Sequence, residues 1–228
     1  MAIINASFFL YNLNKYICFF GDYIVETQNA FRLGLKGIPE EDSKNPLNPV
    51  TGLYGSSAAE RQVKFYLENS IPFALCCLDL DNFHAYNSRY GYDKGDEILR
   101  YAAEVIKSAA GKMTDGNYFV AHLGGDDFIF VTTPDKCEAL SQTIANTFDK
   151  GIAPFYDDDA RVSGFISIPD RRNRKCFYPL LSVTISITTP DSKKHYGEIM
   201  KSVMELKKYG KKIAPRNGGS IFVRDRRL

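Results

Sequence analysis

Residues 122–128, His-Leu-Gly-Gly-Asp-Asp-Phe, set two glycines and two carboxylates between the apolar runs 118–121 and 129–131. Such runs on either side of a Gly-Gly pair read as a tight hairpin with acids at its tip. Gly124 and Gly125, lacking a Cβ, let backbone approach a bulky anion, and the neighbouring Asp126 can hold the divalent cation that such an anion carries. Alone, the four residues would read better as a simple polar turn. A second acidic cluster shifts the balance. Residues 75–83, Leu-Cys-Cys-Leu-Asp-Leu-Asp-Asn-Phe, form an apolar run long enough for a buried strand and end in acids. Carboxylates at the end of a central strand are costly to bury without compensation, so Asp79 is expected to meet Asp126 across adjacent strands. A two-acid magnesium site of this kind suits phosphoryl or nucleotidyl transfer. One ion would assist deprotonation of an attacking hydroxyl, and another would neutralise a triphosphate.

The elements that must position these acids follow from periodicity. Ser57-Ala58-Ala59-Glu60 reads as a capping box opening a helix with Val63 and Leu67 on one face. A strand through Leu75 to Leu80 follows, then a helix from about Lys94 with Ile98, Ala102, Val105 and Ile106 on one side. Beyond the hairpin, Thr133-Pro134 reads as the start of a helix bearing Leu140, Ile144 and Phe148. Two further β-like runs, 161–168 and 180–188, are joined by a basic turn over 170–175 that reads as a solvated tip. In the second, Val183, Ile185 and Ile187 alternate with Thr184 and Ser186, which places one face on a core. A last helix, about 196–208, buries Ile199, Val203 and Leu206, and Ile221-Phe222-Val223 closes as an edge strand. Helices against a mainly antiparallel sheet make an α+β fold.

Composition bounds the rest. A chain of 228 residues with 44% hydrophobic residues supports one sizeable domain plus an appendage. Lys+Arg 29 against Asp+Glu 27 gives +2, which offers no general electrostatic case for nucleic acid or an anionic membrane. Five cysteines with no C-x-x-C spacing read as reduced thiols in a cytoplasmic protein. His84, His122 and His195 are too scattered for a metal cluster. Residues 1–44 differ from the remainder: apolar segments at 3–10 and 17–20 are too short and interrupted for a transmembrane span or signal peptide, and 39–44 reads as a linker.

The chain resembles the GGDEF domains, most of which are diguanylate cyclases. The resemblance rests on five blocks in order, across roughly residues 45 to 228. Asn48-Pro49-Val50-Thr51-Gly52-Leu53 is similar to D-x-L-T-G-L, and residues 79–87 to D-x-D-x-F-K-x-x-N. Tyr90-Gly91-Tyr92-Asp93-Lys94-Gly95-Asp96 is similar to F-G-H-x-x-G-D; the Gly-Gly-Asp-Asp-Phe hairpin and Tyr209-Gly210-Lys211, like the late A-K, complete the set. The resemblance implies a ferredoxin-like palm with an extra β-hairpin. Asp79 and Asp126, with the Leu80 carbonyl, would bind Mg2+ or Mn2+. Asn87 and Asp96 would read guanine, since an amide and a carboxylate together satisfy its N2 amino group, N1–H and O6. Backbone N–H groups of Phe83 and His84 would face phosphate, with charge from Lys211 and from Arg216, which resembles the arginine of G-R-N across a one-residue insertion. Lys207, Lys208 and Lys212 read as the solvated face of a helix end.

Four departures bear on activity. His84 replaces the usual lysine, leaving a charge that varies with pH. Ser88 stands where aspartate commonly follows Asn87, and Asp127 replaces the glutamate of the signature, one methylene shorter. The product-inhibition motif R-x-x-D is absent from residues 113–118. By resemblance, two GTP molecules held by the subunits of a homodimer would condense to cyclic di-GMP, with an upstream sensory or receiver domain as input. The alternative is a catalytically silent GTP-binding or dimerisation module.

Overall fold

The central strand β1 (Ala74–Asp81) buries every residue except Asp81, because it is paired on both edges and covered on both faces. The structure, a computed structural model, describes residues 47–191, 194–214 and 218–225, so the appendage expected over 1–44, and Arg216, lie outside the described residues. Strands β2 (Phe119–Gly124) and β3 (Asp127–Thr132) form the acidic hairpin, and β3 pairs antiparallel with β1 so that Asp79 stands opposite Asp127. On the other edge of β1 lies β6 (Ser182–Thr188), antiparallel, followed by β7 (Ile221–Arg224), parallel to β6. The order β2-β3-β1-β6-β7 is the ferredoxin-like arrangement extended by one edge strand. Strands β4 (Phe165–Pro169) and β5 (Lys175–Pro179) form a separate two-stranded hairpin.

Helices cover both faces of the sheet. Cys76, Leu78 and Leu80 point to the side of α2 (Phe83–Tyr90), α3 (Tyr92–Met113) and α4 (Cys137–Gly151), where Ile98, Ala102, Ile106, Leu140, Ile144 and Phe148 are buried. Leu75 and Cys77 point to the side of α1 (Ser56–Glu68) and the C-terminal helix, through Ala59, Val63, Tyr66, Ile199 and Val203. Between α4 and β4 runs a short α5 (Asp158–Ser163); the C-terminal helix is α6 (Tyr196–Ile213). Among the described residues no helix is long and apolar enough to cross a membrane. Cys76, Cys77, Cys137 and Cys176 are free thiols.

Several sequence expectations are corrected. Helix α1 starts at Ser56 behind Gly55, so Ser57 is already inside the first turn; no side chain caps the helix, and Glu60 pairs with Lys64 instead. Helix α3 begins at Tyr92, immediately after Gly91 breaks from α2 at φ +89°, rather than at Lys94. Helix α4 begins at Cys137, because residues 133–136 close a turn through Lys136 N–H to the Thr133 carbonyl at 3.2 Å. The runs 161–168 and 180–188 are not partners. Asp157 caps α5 by accepting from Ala160 N–H at 2.8 Å, which makes residues 161–163 helical. The basic turn is instead closed by Asp170 Oδ1, which accepts from Arg172 and Arg174 N–H at 2.8 and 2.9 Å, and it joins β4 to β5. The alternation in β6 does put Val183, Ile185 and Ile187 on a core, and Thr184 and Ser186 are buried as well, under α6, with their hydroxyls on Asp81 and on the Cys77 carbonyl. Leu206 is half-buried rather than core.

Candidate functional site

The hairpin turns within two residues, Gly125 and Asp126, and the register slips between His122 and Gly124. Gly124 at φ +132° and Gly125 at φ +61° carry the reversal; the first value is in practice open to glycine alone. That turn hands Asp126 and Asp127 to the end of β1, where Leu80 N–H donates to the Asp126 carbonyl at 3.3 Å. Carboxylate oxygens of Asp79, Asp126 and Asp127 lie within 4.8 Å of one another. The structure thus brings together the two acids expected to meet, and adds Asp127. Three hard carboxylate donors converging at one point suit a divalent cation such as Mg2+ or Mn2+.

Two lysines of α6 stand over these acids. Lys207 Nζ is 3.1 Å from Asp79 Oδ2 and 2.6 Å from Asp127 Oδ1, with only 14% of its side chain exposed. The expectation that Lys207 lies on a solvated face is therefore wrong; Lys208 and Lys212 are exposed. Lys211 pairs with Asp79 Oδ1 and lies 3.9 Å from Asp81 Oδ1. The close approach of α6 makes this possible, since a Cβ on Gly210 would stand 2.7 Å from Thr184 Cγ2 and 3.3 Å from Val223 Cγ2. Asp81 is held by the Thr184 and Ser182 hydroxyls at 2.8 and 3.2 Å.

Burial dominates the electrostatics of this corner. It pushes the Asp79 carboxyl above its usual range against the pull of Lys211, with the Asp126 charge adding to the rise. It lifts Asp81 to about 6, opposed by the Thr184 hydrogen bond and Lys211. Burial works against the Lys207 ammonium as well, but the hydrogen bond it donates to Asp127 and the charges of Asp79 and Asp127 win, and its pKa rises. The acids therefore need cations, and the two lysines supply them.

From Asp81 the chain passes through Asn82, left-handed at φ +65°, straight into α2. The start of α2 consequently sits one residue from the acidic end of β1. Phe83 is buried and His84 exposed there, and the helix dipole favours an anion at this end. One turn further on, the Asn87 amide lies against Gly95 of α3; its Oδ1 is buried without a hydrogen-bond partner. Asp96, half-buried, is next in sequence to that glycine, so the fold sets Asn87 and Asp96 on neighbouring helices. Tyr86, Tyr90 and Tyr156 pack with centroids 4.8 to 5.7 Å apart, and Tyr86 donates to the Phe155 carbonyl at 2.9 Å, which anchors α2.

Sequence reasoning missed three residues. Lys207 looks like its solvated neighbour Lys208, and Gly95 appears only as a glycine of the 90–96 block, since each acts on a residue of another element. His122 is the third: its ring stacks on Phe128 at 4.4 Å, Nε2 faces the Gly125 carbonyl at 3.0 Å, and Nδ1 faces Thr51 Oγ1 at 3.2 Å. A carbonyl only accepts, so Nε2 bears the proton and the Thr51 hydroxyl donates to Nδ1. His122 thus ties the glycine turn to the 48–53 segment, which Asn48 folds by accepting from Val50 and Thr51 N–H at 2.9 and 3.1 Å.

A ferredoxin-like sheet with acids at the end of its central strand and on the adjoining hairpin defines a palm domain. Within that class the chain belongs to the GGDEF family: the family described as diguanylate cyclase, GGDEF domain, matches residues 47–206. A diguanylate cyclase of Vibrio cholerae is 29% identical over 94 residues, covering 40% of this chain and 27% of that protein. The diguanylate cyclase DgcS of Shewanella oneidensis is 38% identical over 86 residues, covering 36% of this chain and 28% of that protein. The chain thus spans under a third of the length of these relatives. The GGDEF domain of DgcB from Caulobacter crescentus, solved with c-di-GMP, superposes with a TM-score of 0.55 at 17% identity, covering 81% of this chain and 96% of that one.

Proposed function

We propose that the chain is the diguanylate cyclase domain of a cyclic di-GMP signalling protein, supported above all by the convergence of Asp79, Asp126 and Asp127 beside the N-terminus of α2. Two GTP molecules, one on each subunit of a homodimer, face each other. Each 3′-hydroxyl oxygen bonds to the other's α-phosphorus as the bond to the β-phosphate breaks, releasing pyrophosphate. Asn87 and Asp96 hold the guanine edge, the Phe83 and His84 N–H groups meet phosphate, and Lys211 with Arg216 adds positive charge. Gly124 and Gly125 admit the nucleotide close to the backbone. The donors for Mg2+ or Mn2+ are Asp79, Asp126 and the Leu80 carbonyl, beside Asp127; the ion supplies Lewis acidity and neutralises the triphosphate. Among the described residues no side chain stands out as a general base, so positioning carries much of the rate. An upstream sensory or receiver domain supplies the input, and the reaction is cytoplasmic, with no nucleic-acid or membrane partner.

Incubating the purified chain with GTP, ATP and Mg2+, and identifying products by mass spectrometry beside Asp126→Asn, tests this. Cyclic di-GMP that disappears in the variant supports the cyclase; full activity in the variant refutes the metal assignment. One observation favours a second reading: Lys207 and Lys211 themselves neutralise Asp79 and Asp127. A GTP-binding regulatory module without turnover would carry such an arrangement. GTP binding by a dimer that yields no product supports that reading.

A further inference from the structure

The position of Lys207 bears on how the acidic cluster takes up a cation, given the metal site of the proposed function. Its ammonium bridges Asp79 and Asp127, two of the three acids whose oxygens converge within 4.8 Å. An ammonium 2.6 to 3.1 Å from these oxygens and a divalent cation at its normal bond length of about 2.0 to 2.1 Å would occupy nearly the same space. Lys207 is not a surface side chain that happens to reach inward. Gly210, one turn further along α6, lets the helix close onto Thr184 and Val223, and Lys207 is delivered nearly buried over the strand end. Lys211, more exposed than Lys207, takes the remaining Asp79 oxygen, so Asp79 meets both ammonium groups and Asp127 meets one.

We propose that Lys207 is a tethered counter-ion that holds Asp79 and Asp127 in place of a divalent cation, so that the cation enters only by displacing the Lys207 ammonium. The nucleotide-free domain is then stable without metal and binds it weakly. Metal arrives with the triphosphate, whose negative charge draws Lys207 off the acids. The ammonium turns from competitor into phosphate ligand. This makes metal loading conditional on nucleotide, a form of control built into the same site.

Mn2+ binding to the nucleotide-free chain, followed by the electron paramagnetic resonance of free Mn2+, separates the cases. Removing one charge at contact distance should tighten Mn2+ by about tenfold or more in Lys207→Met, whereas Lys207→Arg keeps the weak binding of the natural chain. EDTA should lower the melting temperature of Lys207→Met, with Mn2+ restoring it, and leave the natural chain unmoved. Should Lys207→Met not fold, Lys207→Gln, neutral and polar, gives the same comparison. Equal Mn2+ affinity with and without the lysine charge, weakened in both by Asp126→Asn, overturns the counter-ion inference and leaves the metal site standing. No Mn2+ bound at the cluster in any variant removes the metal site itself, and the inference with it.

Discussion

Gly95→Ala separates the fold from the site. A Cβ at this position would stand 2.0 Å from Asn87 Oδ1 and 2.9 Å from its Cγ, and the atoms crowding it all belong to the Asn87 side chain. The methyl is accommodated by swinging that amide away, at about 0.5–1.5 kcal/mol if it leaves its rotamer well. Alanine in a helix interior returns about 0.5–1 kcal/mol, so the net change in stability is within about 1 kcal/mol. Recognition has no such offset. If the amide makes one or two hydrogen bonds to guanine, at about 0.5–1.5 kcal/mol each, GTP binding weakens by about 0.5–3 kcal/mol, or about 2- to 150-fold. Calorimetric titration of GTP and of ATP into the variant measures this beside Asn87→Ala, which should lose a similar amount. Affinity for ATP should not change, so discrimination between the two bases narrows. A Gly95→Ala protein that melts with the natural chain and binds GTP as tightly would refute the assignment of Asn87 to the base.

Gly124→Ala should destabilise the domain more than Gly125→Ala in urea unfolding, because φ +132° is a region reserved for glycine whereas φ +61° costs an alanine about 1–2 kcal/mol; equal costs would show that the turn relaxes. Burial holds the His122 pKa below its usual 6.5, against the Gly125 carbonyl and the Asp127 and Asp126 charges. Its contribution is therefore present above about pH 6.5 and is lost as pH falls, and His122→Gln should flatten the decline in stability below about pH 6.5. An unchanged slope would assign that decline to other groups. Tyr156→Phe removes the hydroxyl that accepts from Leu181 N–H at 2.7 Å in a buried setting, and should cost about 1–3 kcal/mol by thermal or urea unfolding. A neutral result would mean that another acceptor takes over the N–H.

Much of the fold was legible because its signals are local. The apolar run ending at Asp79, the Gly124-Gly125 turn and the helical spacing of Ile98, Ala102 and Ile106 each involve near neighbours, and each element formed where they pointed. Boundaries slipped where a competing local bond decided them, as when Asp157 drew residues 161–163 into a helix and Asp170 closed the basic turn between different strands. The pairing of β6 with β1 rather than with the preceding hairpin depends on partners more than a hundred residues apart, which no local pattern records.

By itself, then, the sequence determined that two acidic strand ends exist, that glycines turn one of them, and that these blocks resemble a nucleotide-cyclising family. Only the tertiary structure decided what stands against those acids. Lys207 has the same local signal as Lys208, a cation near the end of an amphipathic helix; one is nearly buried between Asp79 and Asp127 and the other is in solvent. The difference arises from the rotation of α6 and its depth on the sheet, set by Gly210 against Thr184 and Val223. The seat of Asn87 on Gly95 and the reach of His122 from Thr51 to Gly125 have the same origin. They are contacts between elements, and their geometry comes from packing rather than from chain order.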